Sequence, residues 1–429
     1  VITFHLSAKR YFMSQLKAIV IGSGVAGLAG AIRLALQGLQ VTVLEKNDYP
    51  GGKLSHFETK GFKFDAGPSL FTQPQNIEEL FQLAGENIHD YFQYTSMPVA
   101  CNYFFEDGIQ LTAYADAEKF SEELSAKVGE DAVRVKNYLH QSAKLYNNIG
   151  TVFLNHSLHK RKSLLKASLS KAIGTVRWEY LFKSLDDVNS ATFLTPHAVQ
   201  LFNRFATYNG SNPYKAPGML SLIPHLEHNE GTFYPKGGII SITNALYKLA
   251  LKTGVVFQFN TPAERIIYHE GKIKGVVVQG ENRSADIVVS NMDVYGTYRF
   301  LLLDERKAGK LLSQERSSSA LVFYWGMNRT FEQLQLHNIF FSKNYKAEFD
   351  HIFRLKKLYE DPTVYVNITS KCEPGLQAPE GKENWFVMVN APANTGQNWE
   401  AVKQECRTAV IAKLSRLLRT DIESCIEAE

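Results

Sequence analysis

Apolar and polar positions change period several times along this chain, and each change marks an element. Lys17–Ile21 is a short apolar run of strand type, and the residues after it open an amphipathic helix. A second β-rich run, Val41-Thr42-Val43-Leu44, ends on Glu45. At 101–114 the sequence CNYFFEDGIQLTAY alternates on both sides of Asp107-Gly108, which predicts a hairpin. Beyond the Lys236-Gly237-Gly238 turn, residues 239–253 predict a helix. Strands are then expected in VVFQFN, RIIYHEG, KIKGVVVQG and ADIVVSN, the last at 285–291. The remainder predicts strands around ALVFYWGMN, TVYVNITS and NWFVMVNAP, then a helix from about Asn398.

The turn between the first strand and helix carries chemistry. Gly22, Gly24 and Gly27 fall at GxGxxG spacing, and Glu45 follows 21 residues after Gly24. Strand, glycine turn, helix, strand and acid in that order form a dinucleotide-binding βαβ unit. Gly22 allows the tight turn, Gly24 lets backbone approach a pyrophosphate, and Gly27 lets helix and strand pack closely. The helix N-terminus offers N–H groups to phosphate. Glu45 stands where a carboxylate would accept hydrogen bonds from a ribose. A second glycine pair, Gly51-Gly52, and FDAGPS at 64–69 lie beyond Glu45. Ordinary surface turns would account for either alone. Both together point to FAD, because the chain must pass close to the ribityl and isoalloxazine portion.

An α/β fold of mixed α+β character follows, with a Rossmann-like FAD-binding domain interrupted twice. Residues 13–72 and 223–295 are assigned to the FAD-binding domain, and 73–222 and 296–429 to a substrate-binding domain. Within the latter, residues 157–182 read SLHKRKSLLKASLSKAIGTVRWEYLF. Leu165, Leu169, Ala172, Ile173 and Val176 share one helical face, while Lys162, Lys166, Ser170, Lys171 and Arg177 project elsewhere. Such a helix can pack on a core with a solvated charged face. It can also lie in the headgroup region of an anionic bilayer.

At 429 residues the chain has room for two or three domains, and 45% hydrophobic and 12% aromatic residues suit a globular protein. A net charge of +4 without a run of like charges gives no reason to expect a nucleic-acid partner. Cys101, Cys372, Cys406 and Cys425 show no CxxC pairing, so thiols are expected, with no metal site. No apolar run is long enough to predict a transmembrane helix. Residues 1–12 lack the sustained apolar core of a signal peptide, and Met13 is a candidate start.

Several segments resemble the carotenoid desaturases of the bacterial phytoene-desaturase type, within the FAD-dependent amine oxidase-like superfamily. They are GSGVAGL at 22–28, LEKNDYPGGK at 44–53, FDAGPSLFTQP at 64–74, FNRFATYNGSNPY at 202–214, IPHLEHNEGTFYPKGG at 223–238, ADIVVSNMD at 285–293 and the 321–341 stretch. The resemblance implies FAD held by Gly22, Gly24, Gly27, Glu45, Lys46, Gly51, Gly52, Lys53, Gly67, Pro68 and Ser69, with backbone around Ala263 against the adenine. Lys53 stands where the family usually has Arg. Nothing here matches the family's further C-terminal glycine-rich FAD motif, so that third part of the FAD domain is expected to be missing.

The implied reaction removes a hydride to flavin N5 and a proton from a carotenoid C–C bond. FDAGPSLFT with the YFFEDG hairpin leans toward the 3,4 bond of 1-hydroxylated carotenoids, ahead of phytoene-type desaturation. Arg204, Tyr208, His225 and Glu227 are the polar catalytic candidates. His225 and Glu227 are read as proton acceptors, with a bracing role as the alternative for each. Dioxygen or a membrane quinone would reoxidise the flavin. An insoluble substrate implies a cytoplasmic protein lying peripherally on the inner face of the cell membrane. Two other readings stay open: an amine or protoporphyrinogen oxidase, and a non-catalytic lipid carrier of the GDP-dissociation-inhibitor type.

Overall fold

The computed structural model describes residues 16–150 and 179–429. They form two compact units. One takes the described residues up to Glu58 together with Asp65–Thr95 and Tyr234–Arg316. The other takes Thr59–Phe64, the described part of Ser96–Phe233, and Ser317–Glu429.

The first unit is built on a four-stranded parallel sheet, in the order Ile287–Ser290, Lys17–Ile21, Gln40–Leu44, Val256–Gln258. Parallel strands are covered on both faces and so read as unbroken apolar runs. Here Ile19, Ile21 and Leu44 pack on Ile266, Val276 and Val278 of the antiparallel strands Arg265–His269 and Lys272–Val278. The helix Val25–Leu36 packs against the helix Ile240–Lys252. From the first strand the chain steps to one neighbour at Gln40 and returns much later to the other side at Ile287. That reversal makes the C-terminal end of Lys17–Ile21 a topological switch point, where such sheets bind ligands.

The second unit carries a seven-stranded sheet in the order Ile426–Ala428, Ser319–Met327, Glu383–Ala391, Val364–Asn367, His337–Phe340, Val99–Phe104, Gln110–Tyr114. Trp325 and Trp385 sit opposite each other in its longest pairing, both fully buried. The predicted hairpin forms as Val99–Phe104 and Gln110–Tyr114, and Gly108 at φ +88° lets its turn close. The helix Trp399–Leu418 begins where expected. Asn398 caps it by accepting from the Ala401 N–H at 3.3 Å, and Cys406, Val410 and Leu414 reach the core.

Among the described residues the predicted elements are present, and the α/β expectation is met. The antiparallel strand Glu281–Ser284 is additional, too polar to read from its pattern. Of the basic amphipathic stretch, residues 157–178 lie outside the described residues. Its end, Glu179–Phe182, is a short helix on which Leu181 and Phe182 are exposed. Among the described residues no helix is long and apolar enough to cross a membrane.

Candidate functional site

Several loops converge at the C-terminal edge of the parallel sheet around a cavity of about 950 Å³. That volume lies within the roughly 300–1,000 Å³ of small-molecule and cofactor sites. Gly22, Gly24, Glu45, Lys46, Gly51, Gly52, Lys53, Pro68 and Ala263 all line it. Gly27, Gly67 and Ser69 stand off its wall.

The glycine turn is shaped by close approach. Gly22 adopts φ +92° as the chain leaves the strand, and its N–H donates to the Leu44 carbonyl at 2.8 Å. A Cβ on Gly27 would lie 2.1 Å from the Gly22 carbonyl oxygen, so any side chain there would push helix and turn apart. The helix starts at Gly24 with no side-chain cap and no acid in its first turn, which leaves its N-terminal N–H groups and dipole facing the cavity. The next glycine pair closes against this turn. The Gly51 N–H donates to the Ser23 carbonyl at 2.9 Å, and a Cβ on Gly52 would touch Gly24 Cα at 3.4 Å. Gly67 lies against Lys53 so closely that a Cβ would meet the Lys53 carbonyl oxygen at 1.8 Å. Gly67 thus packs against the Lys53 backbone.

Glu45 is buried at the end of the second strand. Its Oε2 accepts from the Ser23 N–H at 2.8 Å and from Ser23 Oγ at 2.7 Å, while Oε1 accepts from the Asn47 N–H at 2.9 Å. A carboxylate oxygen can accept two bonds, so Oε1 keeps capacity for one more donor. Ser23 sits at a variable position of the glycine motif, and nothing in the spacing marks it. Asp65, within FDAGPS, also has a structural task. Its carboxylate accepts from the Ile239 and Ile240 N–H groups at 2.9 and 3.2 Å, anchoring the start of the helix Ile240–Lys252. The cavity wall further includes Asn47, Asn291 and Asp293, which lie in the matching segments but are not singled out by them, and Glu264 and Phe300, which lie outside them.

In the second unit buried Arg204 and Glu227 and half-buried Tyr208 form one cluster. Arg204 Nη2 donates to Glu227 Oε2 at 2.7 Å, and the Tyr208 hydroxyl donates to Glu227 Oε1. The Arg204 guanidinium lies 4.2 Å from the Phe205 ring centroid. Burial alone would lift the Glu227 carboxyl, but the Arg204 charge and these hydrogen bonds hold it below the ordinary carboxylate range. His225 turns elsewhere: its ring lies 4.8 Å from that of Tyr146, and Nε2 is 3.6 Å from Glu230 Oε1. Its Nδ1 is buried without a hydrogen-bond partner among the described residues, and burial lowers its pKa. Sequence spacing gave no sign that His228 is buried beside this cluster. It stacks on Phe120 at 4.4 Å with its pKa pushed down to about 4.

Residues 25–419 match the family model of flavin containing amine oxidoreductases. The chain belongs to this family. It is an FAD-dependent oxidoreductase. The chain is 48% identical over 413 residues to the 1-hydroxycarotenoid 3,4-desaturase of Flavobacterium sp. (strain P99-3), covering 96% of this chain and 84% of that protein. It is 33% identical over 421 residues to the 4,4'-diapolycopene oxygenase of Methylomonas sp, covering 96% of this chain and 83% of that one. An oxidoreductase from Methanosarcina mazei shares the fold, with a TM-score of 0.61 at 15% identity over 94% of this chain and 85% of that one.

The cavity fits the cofactor of such an oxidoreductase. Gly24 and Gly52 border it with backbone alone, an uncapped helix start supplies N–H donors, and Glu45 Oε1 keeps acceptor capacity.

Proposed function

We propose that this protein is an FAD-dependent carotenoid desaturase that removes two hydrogens from adjacent carbons, acting at the 3,4 bond of a 1-hydroxylated carotenoid. The observation that carries this reading is the 48% identity to a desaturase of that name across 96% of the chain. The cofactor cavity in the first unit supplies the chemistry it needs.

When bound, FAD supplies a two-electron acceptor for a hydride. The residues of this chain do the rest. The Val25–Leu36 helix start and the backbone around Gly24 and Gly52 would hold the diphosphate. Glu45 Oε1 would accept from the adenosine ribose, Ala263 would meet the adenine through its main chain, and Lys46, Lys53 and Pro68 would border the cofactor elsewhere along the cavity, with Ser69 behind them. The substrate carbon loses a hydride and its neighbour loses a proton, so a base is required. Of the four polar candidates, His225 is the better acceptor. It is neutral, and its buried Nδ1 has no partner among the described residues. Glu227 is already paired with Arg204 and Tyr208, which suits it to bracing. The electrons leave to dioxygen or a membrane quinone.

The substrate partitions into lipid, and we infer that the protein works peripherally on the inner face of the cell membrane. The basic amphipathic pattern of residues 157–182 supports this. The test is to incubate the FAD-loaded protein with liposomes carrying a 1-hydroxylated carotenoid and to weigh the product. A product two hydrogens lighter supports the reading. Unchanged carotenoid, together with peroxide release from an added amine, overturns it in favour of an amine oxidase. Flotation with anionic liposomes at low salt tests the membrane reading, which fails if all the protein stays in the soluble fraction.

A further inference from the structure

The strand Ile287–Ser290 ends beside the glycine turn, and the residue that follows it is Asn291. Its backbone N–H donates to the Ile21 carbonyl at 2.9 Å, which fixes the residue at the sheet edge next to the first strand. Its side chain reaches over the turn. Asn291 Nδ2 lies 2.8 Å from the point where a Cβ on Gly24 would stand, and 3.0 and 3.9 Å from the corresponding points on Gly27 and Gly22. Asn291 is half-buried and lines the cavity. One carboxamide therefore stands against the three glycines of the motif and, with Gly22 and Gly24, borders the cavity.

The chemistry of that position is specific. A carboxamide NH₂ offers two donor hydrogens without a charge that must be neutralised when the site is empty. A diphosphate oxygen is a charged acceptor, and hydrogen bonds to charged groups are stronger than neutral ones. The helix start approaches the same space from below with backbone N–H groups. The nearby wall carries Glu45, Glu264 and Asp293 as well as Lys46 and Lys53, and a neutral donor at the turn adds attraction for an anion without adding a charge.

We propose that Asn291 is a ligand of the FAD diphosphate, its Nδ2–H donating to a phosphate oxygen over Gly24. The glycine turn is then closed from above by a residue that lies 267 positions later in the chain. This rests on the reading of the cavity as the FAD site.

The test compares wild type, Asn291→Ala and Asn291→Asp in dissociation constants for FAD, ADP and adenosine, measured by equilibrium dialysis on the apoprotein. Asn291→Ala is expected to weaken FAD and ADP about tenfold, and Asn291→Asp about a hundredfold, because it sets a carboxylate against the diphosphate. Adenosine lacks phosphate, so its binding should stay within about twofold of wild type in both variants. FAD binding by Asn291→Asp within about twofold of wild type would overturn the proposal and leave the cavity reading standing. Equal loss of ADP and adenosine would make Asn291 a packing residue and overturn it as well. A wild-type protein that takes up no FAD would remove the cavity reading and the proposal together.

Discussion

Ser23 Oγ donates to Glu45 Oε2 at 2.7 Å, and the Ser23 N–H donates to the same oxygen at 2.8 Å. The acid after the second strand thus braces the glycine turn from within, while its other oxygen accepts from the Asn47 N–H. Ser23→Ala removes one charge-assisted bond but leaves the backbone donors of Ser23 and Asn47 on the carboxylate. It should weaken FAD binding about three- to tenfold. Glu45→Ala strands those buried donors as well and should cost a hundredfold or more, by about the same reasoning. Titration of both apoproteins with FAD checks this, and equal losses in the two variants would contradict the bracing role.

Gly27 and Gly67 face backbone oxygens that would overlap a Cβ at 2.1 and 1.8 Å, whereas a Cβ on Gly30 meets nothing within 4 Å. Gly27→Ala and Gly67→Ala should therefore lower both melting temperature and flavin retention. Gly30→Ala, inside the same helix as Gly27, should raise stability by about 0.5–1 kcal/mol. Thermal unfolding of the three variants orders them, and a destabilised Gly30→Ala would count against the packing argument.

Arg204 and Glu227 are both buried and bonded at 2.7 Å. Arg204→Ala leaves a carboxylate buried without its cation and should cost about 3–5 kcal/mol in urea unfolding. Glu227→Gln keeps the shape and should leave turnover within a few-fold of wild type. His225→Gln removes the proposed proton acceptor and should slow turnover about a hundredfold or more. The reverse order for the last two would return the base role to Glu227.

His228 and His337 are fully buried, and burial holds both near pKa 4 against an ordinary value of 6.5. Between those values the unfolded chain binds more protons than the folded one. Stability therefore falls as pH drops from about 6.5 to about 4, by about 3 kcal/mol per histidine over the full interval. Glu227 adds to this at lower pH. Its lowered folded pKa gives stability that is complete above the unfolded carboxylate value and is lost as pH falls through the folded one. His228→Phe keeps the stack on Phe120 and should make the acid limb shallower while changing little at pH 8. An unchanged limb would show that His228 is not the group being titrated.

What the sequence disclosed was local. The strand, glycine turn and helix from Lys17 to Leu36 are contiguous, and Asp107-Gly108 sets its own hairpin, so spacing and turn chemistry sufficed. The partners that finish the site come from far along the chain. Asn291 reaches the glycine turn only because Ile287–Ser290 pairs with the first strand, and Asp65 anchors a helix that starts 175 residues later. Ser23 is ordinary in sequence and becomes a brace only when the second strand brings Glu45 beside it. Periodicity records which face of an element is buried. It does not record which distant element covers that face.

The central claim is that FAD bound in the Gly22–Glu45 cavity takes a hydride from a carotenoid. Mixing FAD-loaded protein anaerobically with liposomes containing a 1-hydroxylated carotenoid, in a recording spectrophotometer, tests it most directly. The flavin band should bleach as the carotenoid absorption shifts to longer wavelength, one conjugated double bond gained per flavin reduced. A flavin that stays oxidised while dithionite readily reduces it would contradict the account.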